Sequence, residues 1–248
     1  MQPRRDSANR ADATATGPDA ATIGALRRTV ATRPRRWLAI STLLLGLLAA
    51  VVTAALGRPD DRTFAGLATP VQLLMSVTVP FLGVLLVHDL RRAATAPVAR
   101  TVLAAAVPAA AVGVFGAVVC AVALALARTA PGPADDPWRH AGTVAAGGVL
   151  VQVLAQSVGT GLGLLLRRPV VACLATIALP TGLWLLLGGV ASLRPAQSWL
   201  TPYAVASPLL AGGMTGQNWA QWLVVVALWG VGLNVLGAAV VHSRRAAR

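Results

Sequence analysis

Two groups of side chains in this sequence could do chemistry. The first is His88-Asp89, with Arg91 and Arg92 just beyond, closing the second apolar run. An imidazole beside a carboxylate can relay a proton, and ionisable groups inside a membrane mark function. At the water boundary the same pair is simply solvated. The second group is Gln152, Gln156, Ser157 and Thr160, inside a run without charge. Gln152 and Gln156 are four residues apart and share one helical face. There they either line a pathway or hydrogen-bond to neighbouring helices. Asn234 in the last apolar run reads as a helix–helix contact.

Other chemistries are excluded or weakly supported. Every basic residue other than His is Arg and every acidic one is Asp. Without Lys there is no phosphate loop of the Walker type, no Schiff base and no Ser-Lys pair. Without Glu, the HExxH metalloprotease helix and the last ligand of an EF-hand are absent. No His-Asp cluster has metal spacing. Ser157 lies mid-run while all three His lie at run ends, which argues against an intramembrane serine protease. Cys120 and Cys173 fall within apolar runs, where Cys behaves as a small hydrophobe, so no disulfide is expected. Gly159 and Gly163 form a GxxxG step that lets two helices approach closely. With no strand before it, the surrounding glycines are not a dinucleotide loop.

The elements that must position these residues follow from composition. Of the 248 residues, 56% are hydrophobic and 12% charged, about half the charge of an ordinary globular domain. The net charge of +13 could suggest nucleic acid, but the arginines sit in short clusters between long apolar runs. No nucleic-acid partner is expected. Uncharged runs of 18 or more residues read as transmembrane helices, and six occur: 37–56, 69–87, 101–127, 143–166, 170–190 and 220–241. A signal peptide competes for the first, but its length favours a span. The chain is therefore read as an all-α integral membrane protein of six transmembrane helices within 37–241.

Residues 1–21 carry almost no large apolar side chains and read as a disordered tail. In 22–36, Ile23, Leu26 and Val30 fall on one helical stripe among arginines. That pattern fits an amphipathic basic helix on the membrane surface, or a basic flank that orients the first span. Residues 242–248 form a short tail. Arginine distribution sets the orientation. Arg27, Arg28, Arg33, Arg35, Arg36, Arg91, Arg92, Arg100, Arg167, Arg168, Arg244, Arg245 and Arg248 fall on one side of the six spans. Arg58, Arg62, Arg128, Arg139 and Arg194 fall on the other. Thirteen against five places both termini in the cytoplasm. On the outer side, 191–219 holds Trp199, Tyr203 and several prolines and is expected to lie on or dip into the outer leaflet.

A basic lead-in, six spans, no nucleotide motif and a longer outer loop before the last span resemble the membrane (permease) subunit of a type-two ATP-binding-cassette exporter. The stretch from His88 to Ala104, with Asp89, Pro97, Val98, Ala99 and Arg100, is similar to that family's acidic residue followed by a Pro-Val-Ser-Arg-like element opening the third helix. The segment from Trp199 to Gly212 and the close of the fourth span at Gly161-Leu-Gly-Leu-Leu-Leu-Arg-Arg168 are further likenesses. Asp89 stands where the family has Glu and Ala99 where it has Ser. The family's Gly-Thr pair after the acidic residue and its downstream Lys are missing.

The resemblance implies a cell-membrane protein that is not itself an enzyme and holds no cofactor. ATP would be bound by a separate ATPase subunit, and the pathway would form in a homodimer or in a heterodimer with another permease. The coupling loop would be 89–100, with Asp89, Arg91, Arg92, Pro97 and Arg100 as its contacts. The rivals are a non-transporting scaffold or assembly subunit and a lipid-modifying membrane enzyme. A secondary carrier is weakened by the lack of mid-span charge. The aliphatic spans favour a hydrophobic or amphipathic cargo.

Overall fold

The computed structural model describes residues 32–58, 62–93, 98–127 and 136–246, with the backbone alone at 90–93, 98–101 and 245–246. Among these residues the chain is helical and contains no strand. Six helices are long and apolar enough to cross a membrane. The molecule is an all-α, multi-pass membrane protein.

Helix α1 (Arg33–Leu56) starts with Pro34 in its first turn, where the missing N–H is harmless. Arg33, Arg35 and Arg36 thus join the first span as its opening turn. The rest of the expected surface helix, 22–31, lies outside the described residues. Helix α2 (Phe64–Ala93) begins before the apolar run and continues through His88-Asp89 to the arginines beyond. Helix α3 is Val98–Ala127 and α4 is Ala141–Leu165. A three-residue link, 166–168, then leads to Pro169, the first residue of α5 (Pro169–Gly189).

Segment 191–210 is the part that composition alone could not resolve. After a 3₁₀ turn (Ala191–Leu193) it forms two short helices, α6 (Arg194–Leu200) and α7 (Pro202–Leu210), separated by extended Thr201. Gly212, with φ of +75°, ends the excursion in a conformation that favours glycine. The last span is α8 (Gly216–Val225), a π-helical stretch (Val226–Gly232) and α9 (Leu233–Ala246).

The short helices do not rest on the bundle's end. Trp229 lies roughly 20 Å along the last span from Gly216, at about 1.5 Å per residue. Its Nε1–H donates to the Leu200 carbonyl at 2.8 Å. Gln197 reaches the Trp184 carbonyl at 2.9 Å, and Gln221 reaches Ser198 Oγ at 3.2 Å. Val205, Ala206, Leu209 and Leu210 are buried in the core with Trp222. The tip at Leu200-Thr201 therefore reaches about half-way along its neighbours. Its non-helical backbone is covered by protein, as lipid requires.

Helix α4 is the centre of the bundle. Two-thirds of its apolar window (67%) is buried, against 17% for α1 and 22% for α5 and for the last span. Those outer helices present Leu44, Leu48, Leu185, Leu186 and Leu236 outward, as a lipid-facing surface does. Small residues let α4 hold this place. A Cβ on Gly159 would overlap the Pro80 carbonyl, and one on Gly83 would lie 2.9 Å from the Gln156 carbonyl oxygen. Gly163 meets the Val84 backbone at 3.1 Å by the same measure. The GxxxG step is thus the crossing of α2 and α4.

Candidate functional site: a polar seam on the central helix

The uncharged polar residues of α4 form a continuous seam with α2, α3 and α9. At one level, Gln72 of α2 donates through Nε2 to the Gly113 carbonyl of α3 at 2.9 Å. Gln152 Nε2 in turn reaches Gln72 O at 2.8 Å and Gln72 Oε1 at 2.9 Å. Both side chains are fully buried. Gly116 and Gly148 face the Gln72 amide, and any Cβ there would strike it. Gln152 Oε1 is buried without a hydrogen-bond partner among the described residues.

One turn on, the Gln156 amide faces the α2 backbone next to Pro80. Oriented to suit its neighbours, its nitrogen donates to Val79 O at 2.6 Å and its oxygen accepts from Gly83 N at 3.2 Å. Pro80 interrupts the α2 ladder at this point, and the Gln156 amide braces it from the neighbouring helix. A further turn on, Thr160 Oγ1 meets Asn234 Oδ1 at 2.8 Å. Asn234 Nδ2 donates to Ser157 O at 2.8 Å and to Gly230 O at 2.6 Å. Asn234 therefore ties α4 to the π-helical stretch, where carbonyls are out of register for ordinary helical bonding. In chemical terms the seam holds no acid, base or nucleophile with a partner. Its four helices are fixed by hydrogen bonds, each contributing about 0.6–2 kcal/mol in a bilayer.

The ionisable site lies at the arginine-rich end. Asp89 stands near the end of α2 and pairs with Arg35 of α1, whose guanidinium also donates to the Leu85 carbonyl at 3.0 Å. The Arg35 side chain is only 6% exposed and that of Asp89 is 46% exposed, so the pair sits at the edge of the packed bundle. Below it, Val87, Leu164 and Val241 join α2, α4 and α9 in a small apolar cluster. Arg91 and Arg92 lie in the last turn of α2, and Arg100 in the first turn of α3, by backbone alone. Their side chains, and Pro97 altogether, lie outside the described residues.

The structure brings together Gln152 with Gln72, Gln156 with Pro80's neighbours, Gly159 and Gly163 with α2, and Asn234 with Thr160. It also brings together residues that sequence reasoning passed over. Gln72 is a glutamine in an apolar run and could have been flagged by that alone. Arg35 could not, because a basic flank looks the same whether solvated or buried. Trp229 had a signal, being an indole in mid-run that needs a buried acceptor. Among the described residues no three His, Cys, Asp or Glu side chains are placed to hold a metal ion. No family model matches the chain, and comparison with the curated proteins and with the solved structures gave no match.

Proposed function

We propose that this chain is the permease subunit of an ATP-driven exporter in the cell membrane. It works with a separate ATP-binding-cassette ATPase and pairs with a second permease, identical or homologous. The arginine-rich end and both termini face the cytoplasm, as the positive-inside rule requires. The ATPase binds the nucleotide, and this chain contributes conformational gating rather than bond chemistry.

The observation that carries this reading is the Arg35–Asp89 pair. It fastens the start of α1 to the last turns of α2, which with the first turn of α3 make up most of the expected 89–100 coupling loop. A push on that loop would be delivered to two helices at once, and through the Pro80–Gly159 crossing to the central helix. Conformational coupling needs such a chain of rigid contacts. The test is co-expression with the ATPase encoded beside this chain and purification through a tag on the permease. Co-purification of that ATPase is the expected result. Its absence from an intact six-span protein would overturn the reading.

A second reading, a membrane scaffold without a transport cycle, is favoured by one observation. The buried amides of the seam bond to neighbouring helices of the same chain rather than lining an aqueous path. A scaffold would co-purify with other membrane subunits and show no nucleotide-dependent change.

A further inference from the structure

Three prolines meet at one place inside the bundle. Pro80 of α2, Pro180 of α5 and Pro202 at the start of α7 line a partly enclosed pocket of about 60 Å³, together with Ser76, Thr176 and Tyr203. The pairing of these residues along the chain is regular. Ser76 is four residues before Pro80 and Thr176 is four before Pro180. A proline has no N–H, so each removes the helical donor of the carbonyl four residues back. Both members of each pair line the pocket, which puts the released carbonyl between them on the same helical face.

The hydroxyls beside these carbonyls do not replace the lost donors. Ser76 Oγ donates to Leu73 O and Thr176 Oγ1 to Cys173 O, each at 2.7 Å. Their protons are used one turn away, and their lone pairs add to the acceptors around the pocket. The rest of the lining is largely apolar, Leu73, Val151, Leu154 and Val158 among it, so few groups there can satisfy a released carbonyl, which left bare at this depth costs several kcal/mol. A pocket of about 60 Å³ exceeds the roughly 10–15 Å³ that a cavity needs to hold one water, so water has room there.

We infer that this pocket is a water-binding site inside the membrane. One or two ordered waters donate to the Ser76 and Thr176 carbonyls and bond to the Tyr203 hydroxyl, bridging α2, α5 and the short helix α7. Because these donors are mobile waters, α2 and α5 can change their bend at Pro80 and Pro180 without losing hydrogen bonds. The site is independent of which partner the protein serves.

Radiolytic hydroxyl-radical footprinting of the full chain in lipid nanodiscs tests this, because radicals form where water resides. Tyr203 and Trp222 both line the pocket. Trp229 is as buried as Trp222 but is not part of the lining, so it serves as the dry reference. Tyr203 and Trp222 are expected to be modified several-fold faster than Trp229. Pro80→Ala with Pro180→Ala restores both amide donors and is expected to bring Tyr203 down toward the Trp229 rate. Ala206→Leu fills the pocket while keeping the prolines and is expected to do the same, with the exposed Trp219 as the control for an intact fold. Rates at Tyr203 and Trp222 no higher than at Trp229 in the unaltered protein would overturn the inference. Rates unchanged by Ala206→Leu in a folded protein would overturn it as well.

Discussion

Asp89 shows how much one side chain can change in meaning between sequence and structure. As a sequence it is an acid at the mouth of a loop, poised for a partner. In the fold its carboxylate faces Arg35, whose guanidinium is buried. Removing one member of such a pair harms more than removing both, because a buried charge loses its counter-charge. Asp89→Ala is therefore expected to lower the unfolding temperature in detergent, and Arg35→Ala/Asp89→Ala to recover part of that loss. A double variant no better than Asp89→Ala would show that the loss does not come from leaving the Arg35 charge without its partner. The seam makes a parallel claim. Gln72→Leu breaks the bonds to Gly113 and Gln152 and is expected to destabilise by about 1–4 kcal/mol in a reversible unfolding assay, the sum of two such bonds. Gln152, Gln156 and Asn234 were legible as polar residues in apolar runs. Their partners were not, since spacing fixes a residue's face but not the helix across from it.

Among the elements, the six spans were legible because a ~30 Å hydrocarbon core demands about 20 apolar residues and little else. Their ends were less so. Hydropathy gave 69–87 for the second span, whereas α2 runs Phe64–Ala93 because helix does not stop where charge begins. For 191–219 the sequence predicts a segment on or dipping into the outer leaflet, but the helices α6 and α7 of this excursion stayed hidden, because seven and nine residues are too short to show a period. What fixes its tip is a single indole. Trp229→Phe removes the donor to Leu200 O. A cysteine at Thr201, buried in the fold, in a background with Cys120 and Cys173 replaced by Ala, should then react several-fold faster with a membrane-impermeant maleimide. An unchanged rate would mean the tip is held by apolar packing alone. The α2–α4 crossing invites the opposite experiment. Gly159→Ala forces a Cβ onto the Pro80 backbone, whereas Gly142→Ala meets nothing within 4 Å. The first is expected to destabilise by about 1–3 kcal/mol and the second to be nearly neutral.

For the whole molecule, the arrangement is a buried central helix, α4, ringed by helices that present leucine and valine to lipid. The polar seam runs along α4 toward its Leu165 end, and the Arg35–Asp89 pair closes the arginine-rich end of the bundle. Composition made the membrane class plain. It could not reveal that the polar residues bond to one another within the chain, which depends on how the helices cross. The central claim is that force applied at the arginine-rich end enters the bundle through Arg35 and Asp89. The most direct measurement is ATP hydrolysis by the purified complex of this chain with the proposed ATPase partner, comparing Asp89→Ala, Arg35→Ala and the charge-exchanged Arg35→Asp/Asp89→Arg. Hydrolysis should fall in both single variants and recover at least in part when the charges are exchanged. Hydrolysis by an intact Asp89→Ala complex at the unaltered rate would contradict the claim.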